Sequence, residues 1–181
     1  MDKGDHTFLF GFEESYGFLS STFVRDKDGV NASLLISEVA CACMAEGITL
    51  YDRVQQIFRE YGYYVENVVS ATLPGKDGLS RMKKIMSGLR DNPPEDIAGL
   101  KVIAVRDYLK GIRTENGTEE PTGLPKSDVL YFELEKGCWV CVRPSGTEPK
   151  IKLYINSNDV DPEKANALKD RLSDASRAMI S

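Results

Sequence analysis

The sequence predicts an α+β chain: a small, largely antiparallel sheet with two helices packed on one face, preceded by a strand–loop–two-helix segment. Three observations carry this. After Gly62 the hydrophobic pattern alternates, turns helical and alternates again, giving β-α-β, a hairpin, then α over residues 62–181. Before Gly62, two helical stripes follow one short extended pair, too few layers to bury two apolar faces. The composition, 41% hydrophobic and 28% charged over 181 residues, is that of a folded globular chain of one domain or slightly more.

Residues 6–12 alternate around Phe8, Phe10 and Phe12 and predict a strand. GFEESYG, residues 11–17, is a Gly-bounded loop with two adjacent carboxylates, and a short strand is predicted at 18–24. The charged run RDKDG, residues 25–29, leads into a helix over 31–46. That helix is apolar nearly all round, so the pattern predicts deep burial. Gly47 is its natural stop. Thr49 and Asp52 form a capping pair for a second helix, with Leu50, Val54, Ile57, Phe58 and Tyr61 on one stripe. These first 61 residues read as the tail of a larger domain.

Tyr63, Val65, Val69, Ala71 and Leu73 alternate as in a half-buried strand, which Pro74 and Gly75 break. Asp77 is placed to cap a helix carrying Leu79, Met82, Ile85, Met86 and Leu89, stopped by Asn92, Pro93 and Pro94. A strand is predicted at 100–108 and an exposed Gly/Thr/Pro-rich loop at 111–128. Strands at 129–134 and 138–143 flank a hairpin turn at Glu135-Lys136-Gly137. PSGTEP then leads to an extended segment at 151–156. Asp161 and Pro162 open the last helix, with Ala165, Leu168, Leu172, Ala175 and Met179 at helical spacing. A region of about 120 residues carries its own core.

The 23 basic and 28 acidic residues leave a net charge of −5, which is not the balance of a nucleic-acid or membrane-surface binder. No run of about 18 apolar residues exists to span a bilayer. MDKGDHTFLF lacks the pattern of a signal peptide, so the expected location is cytoplasmic. The N-x-[ST] matches at Asn31 and Asn116 then carry no meaning. Cys41 and Cys43 lie in an Ala-rich run and are expected to pack as small hydrophobes. Cys138 and Cys141 have metal or redox spacing, but three residues apart on a strand they face opposite ways. Reduced, structural cysteines and no metal site are expected.

The strongest local signal is RPSGTEPKIK, residues 143–152. Arg143 offers a planar donor fork, Ser145 and Thr147 add hydroxyls, and Gly146 supplies an unencumbered N–H. Lys150 and Lys152 add positive charge. The residues alone allow either an oxyanion site, phosphate first, or a hairpin loop built from ordinary turn chemistry. GFEESYG is similarly open: its paired carboxylates suit sugar hydroxyls, a metal, acid/base work or a solvated turn. Lys27 in RDKDG has the charge to contact an anion or to sit in solvent.

FGFEESYGFL, VRDKDGV and RPSGTEPKIKLY, in that order and spacing, resemble the C-terminal portion of an α-D-phosphohexomutase of the phosphoglucomutase type. The resemblance covers essentially the whole chain. It implies that residues 1–61 are the C-terminal part of a sugar-binding third domain, a remnant of an α/β domain, and that 62–181 are a phosphate-binding fourth domain. It further implies that Glu13 and Ser15 contact the hexose. Arg143, Ser145, Gly146, Thr147 and Lys152 would hold the phosphate that is not transferred, and Lys27 would line the cleft. Where some members carry a histidine, this chain has Tyr16 and Gly17. The family's phosphorylated serine loop, Thr-Ala-Ser-His-Asn-Pro-like, and its Asp-Gly-Asp-x-Asp-Arg-like metal loop are absent. The resemblance therefore implies no catalytic residue here and an inactive isolated chain. The missing N-terminal domains of the same polypeptide would bring Mg2+, and the parent would interconvert glucose 1-phosphate and glucose 6-phosphate through glucose 1,6-bisphosphate. The alternative is a standalone phosphosugar-binding module without catalysis.

Overall fold

A computed structural model describes residues 7–13 and 16–180 and divides the chain into two units, residues 1–57 and 58–181. In the first unit, β1 (Gly11–Phe12) pairs antiparallel with β2 (Phe18–Leu19), Gly11 opposite Leu19. The strands predicted at 6–12 and 18–24 shrink to these two-residue ladders, and His6 lies outside the described residues. A two-stranded ribbon is marginal without a third strand, and among the described residues no third strand pairs with it.

Asp28 starts α1 (Gly29–Ala45): its Oδ1 accepts from the amides of Val30 at 3.0 Å and Asn31 at 3.1 Å. The deep burial predicted for this helix is not found. Within the described residues only Cys43 of α1 is buried, while Val30 and Met44 are 83% and 77% exposed. An all-round apolar helix needs a layer on each side, and the described residues of this unit do not supply one on every side. Cys41, expected to pack, is exposed for the same reason. α2 (Leu50–Tyr61) opens on the predicted capping box. Thr49 Oγ1 accepts from Asp52 N at 3.1 Å, and Asp52 Oδ2 accepts from Thr49 N at 2.9 Å. Such a cap stabilises by about 1 kcal/mol.

The second unit runs β3 (Tyr63–Thr72), α3 (Gly78–Asp91), β4 (Asp96–Ile97), β5 (Leu100–Asp107), β6 (Ile112–Glu115), β7 (Thr118–Pro121), β8 (Leu130–Leu134), β9 (Trp139–Pro144), β10 (Lys150–Asp159) and α4 (Pro162–Met179). The sheet order is β3-β10-β9-β8-β5-β6-β7, every pairing antiparallel, with β4 beside β5. The predicted loop at 111–128 contains a hairpin, β6–β7, turning on Asn116 and Gly117, both at positive φ. Asn-Gly is the residue pair that a tight hairpin turn demands. Its strands, IRTE and TEEP, are too polar to show an apolar period. The two-residue β4 was too short to register. The predicted turn before β9 is a 3-10 turn at Glu135–Gly137.

One face of the sheet is the core. Leu130, Val142, Leu153 and Val69 form one cross-strand row; Phe132, Val140 and Ile155 form the next. Met82 and Met86 of α3 and Leu168 and Leu172 of α4 belong to the same cluster, so both helices cover that face. Asn67, paired with Ile155, is satisfied there by Nδ2 donating to Ser173 Oγ at 2.9 Å. Asp161 caps α4 as predicted, its Oδ1 accepting from Glu163 N at 2.9 Å. Asp77 precedes α3 but makes no side-chain cap bond. Its backbone, φ −92° and ψ 1°, lacks the extended geometry that aims a capping oxygen at the next amides.

The opposite face carries the polar rows. Tyr131 stacks on Trp139 with centroids 5.1 Å apart, and the Arg106 guanidinium lies 5.2 Å from the Tyr131 ring. Glu133 accepts from Arg106 at 2.6 Å and from Arg113 at 2.7 and 2.8 Å. Hydrogen bonds from Arg113, then burial acting against them, then Arg106, leave its pKa lowered from 4.5 to about 2. A depressed folded value means the stabilisation is complete above about 4.5 and is lost as pH falls from there through about 2. Thermal melts over that range are expected to show Glu133→Gln less stable than wild type near neutrality and flatter in acid. Parallel curves would exclude the linkage.

Candidate functional site

The first unit holds the acidic loop. Glu13 N donates to Gly17 O at 2.8 Å, closing the turn between β1 and β2. Ser15, expected to contact a sugar, lies outside the described residues. Lys27, from the run before α1, places Nζ 3.3 Å from Glu13 Oε1 and 3.1 Å from Asp26 Oδ1. Asp26 first, then Glu13, holds the lysine ammonium above its usual range. The fold thus joins two residues the sequence placed in separate motifs. What permits it is Gly17, buried beneath the lysine stem: a Cβ there would meet Lys27 Cγ at 2.6 Å. The sequence marks Gly17 as the end of the carboxylate loop and as a position without histidine; its role beneath Lys27 depends on how the two segments dock. Chemically, a hydroxyl reaching this half-exposed pair can donate to the carboxylate and accept from the ammonium. A nearby cavity of about 460 Å³, lined by Phe10, Phe18, Leu35, Ile36 and Val39 among others, is apolar and includes neither Glu13 nor Lys27.

The second unit holds the basic loop, between β9 and β10. Ser145 N donates to Lys150 O at 2.7 Å, and Lys150 N to Glu148 O at 2.8 Å. Ser145 Oγ accepts from Thr147 N at 3.4 Å and Glu148 N at 3.3 Å. Its amide is therefore committed, and Ser145 reaches an anion through its O–H, which remains to donate. Among the described residues Gly146 N–H has no protein acceptor, and nothing lies within 4 Å of where its Cβ would stand. The loop presents one bare amide and two hydroxyls to open space.

Strand register then brings Arg143 directly opposite Lys152, on the face away from the helices, with Ser70 next in the row. Among the described residues Arg143, Lys150 and Lys152 form no ion pair. Like charges facing each other across an antiparallel pair destabilise it. Here they sit unneutralised beside a turn of free donors, an arrangement that an anion with two or more oxygens satisfies.

Cys141 lies one row further along this face, opposite Tyr154 and Tyr131. Burial pushes its thiol up to about 11, against the pull of Arg143, which favours the protonated thiol at neutral pH. Cys138 is buried. Among the described residues no group of three or more His, Cys, Asp or Glu side chains is placed to hold a metal ion.

Two family descriptions match this chain. Phosphoglucomutase/phosphomannomutase, alpha/beta/alpha domain III, matches residues 1–61, and the C-terminal domain of the same family matches residues 89–175. The phosphoglucomutase of Staphylococcus haemolyticus is 44% identical over 154 residues, 84% of this chain and 28% of the relative. That of Staphylococcus aureus strain MSSA476 is 42% identical over 172 residues, 91% of this chain and 31% of the relative. The chain therefore spans less than a third of the length of these relatives. Among solved structures it is similar to the open form of the exocytosis-sensitive phosphoprotein pp63/parafusin, a phosphoglucomutase from Paramecium. The TM-score is 0.58 at 19% identity, over 91% of this chain and 30% of that one, a likeness of fold. The matched domains and the sequence identity together show that the chain belongs to the phosphoglucomutase/phosphomannomutase family, corresponding to its third and C-terminal domains.

Proposed function

We propose that this chain is the sugar- and phosphate-holding portion of a phosphohexomutase, an isomerase that interconverts glucose 1-phosphate and glucose 6-phosphate through glucose 1,6-bisphosphate. The observation that carries the reading is the unneutralised Arg143–Lys152 pair beside the Ser145-Gly146-Thr147 turn. Arg143 and Lys152 supply charge to the phosphate that stays bound. Ser145, through its hydroxyl, Gly146, through its amide, and Thr147 orient that phosphate. Glu13, with Ser15 beside it in sequence and Lys27 paired to it, takes the sugar hydroxyls. These contacts orient the substrate; they do not form or break a bond. A donor serine and a metal-bound loop have no counterpart in the sequence, so the reading assigns the chemistry to other domains and expects no turnover from this chain alone. Mg2+ would act there. The boundary between the sugar-binding and phosphate-binding portions is placed at residues 61/62, at the end of α2. The reading also places the protein in the cytoplasm with its hexose phosphates. No single helix among the described residues is long and apolar enough to cross a membrane.

Titration of the whole chain with glucose 6-phosphate, followed by amide NMR, tests this. Saturable shifts are expected at Gly146 and Thr147. Flat shifts at both residues up to millimolar ligand would overturn the assignment of the loop.

A further inference from the structure

The basic loop is held from below by a residue outside every motif that the sequence analysis named. Gly78 is the first residue of α3 and is buried. A Cβ built on it would stand 2.1 Å from Leu73 O and 2.8 Å from Pro149 Cβ. Both contacts are too short for any side chain, and the first is to backbone, which cannot swing aside. Leu73 and Pro149 are themselves tied, Leu73 N donating to Pro149 O at 2.8 Å. Pro149 precedes Lys150, whose carbonyl accepts from Ser145 N at 2.7 Å. A continuous mechanical path therefore runs from the helix start through the loop stem to the turn that presents Ser145, Gly146 and Thr147. Gly88, in the same helix, has nothing within 4 Å of its Cβ position. The close approach at Gly78 is thus specific to the end of α3 that touches the loop.

We propose that Gly78 is a positioning residue for phosphate binding: its missing side chain lets α3 seat against Leu73 and Pro149 and so sets the shape of the loop. This rests on the phosphate reading of that loop. Any side chain at 78 lifts the helix from Leu73 or drives Pro149 outward. The second movement displaces Lys150 and releases the Ser145 amide from its carbonyl. The loop donors then no longer converge on one anion, and misplacement of this kind weakens binding without removing any group that touches the ligand.

The test compares wild type, Gly78→Ala, Gly88→Ala and Arg143→Ala in the whole chain, each titrated with glucose 6-phosphate and melted thermally. Gly78→Ala is expected to keep a cooperative melt and to weaken binding by about tenfold, with ligand-free amide shifts changed from Ser145 to Lys150. Gly88→Ala is expected to leave affinity and those shifts at wild-type values. Wild-type affinity in Gly78→Ala, alongside lost affinity in Arg143→Ala, would overturn the proposal even if stability fell, since Gly78 would then be a packing residue only. Should Gly78→Ala fail to fold, Pro149→Gly takes its place, because it removes the Cβ that stands 2.8 Å from the Gly78 Cβ position while keeping the carbonyl that Leu73 bonds. Weakened binding there supports the proposal and unchanged binding overturns it. Absence of binding by wild type would overturn the phosphate reading itself and this inference with it, an outcome visible before any variant is compared.

Discussion

Replacing Arg143 by alanine is expected to weaken glucose 6-phosphate binding by about 1.5–3 kcal/mol, roughly 10- to 150-fold, without loss of thermal stability. The two halves of that result have separate causes. Affinity falls because a charged fork loses its bonds to a charged ligand, the strong class of hydrogen bond. Stability holds because Arg143 is exposed, forms no ion pair among the described residues and stands opposite Lys152. Removing one of two facing cations relieves repulsion worth a few tenths of a kcal/mol or more. Calorimetric titration paired with thermal melts checks both halves. An affinity equal to wild type would remove Arg143 from the site. A large drop in stability would mean that it serves the fold, and the loop would lose its main claim to anion binding.

Phe132→Ala is expected to cost about 3–5 kcal/mol of stability in the second unit, the range for deleting a buried aromatic ring. Phe132 is fully buried in β8, paired with Val140 on one side and Val105 on the other. Its strand is central, so the neighbours on both sides are held by ladders and cannot collapse into the space. Denaturant unfolding followed by the fluorescence of Trp139, on the next strand, reads the change. A loss under about 1 kcal/mol would mean the core relaxes around the gap, contrary to its close packing.

Legibility of the fold in the sequence followed the range of each interaction. The Thr49–Asp52 box and the Asp161 cap join residues two or three apart, and both formed as read. The apolar alternation of β9 and β10 is strong because one face is wholly core. The β6–β7 hairpin escaped because both its strands are polar, although Asn116-Gly117 carried the turn. Asp77 was the right residue type in the wrong backbone conformation. The helix at α1 was read as buried from its composition, but burial of an all-round apolar helix needs layers on every side, which the described part of its unit does not supply.

The candidate site divides the same way. RPSGTEPKIK is a contiguous stretch, so its donors and charges are visible in order along the chain. Residue type alone decided which groups can take an anion, which turn they sit on and which faces of the strands are apolar, because those properties depend on near neighbours. Tertiary structure decided that Lys152 stands opposite Arg143, that Lys27 crosses Gly17 to reach Glu13, and that α3 closes on Pro149 through Gly78. Each of these depends on strand register or on how a segment docks. Both are set by burying whole rows of side chains against distant partners, so no local run of residues encodes them.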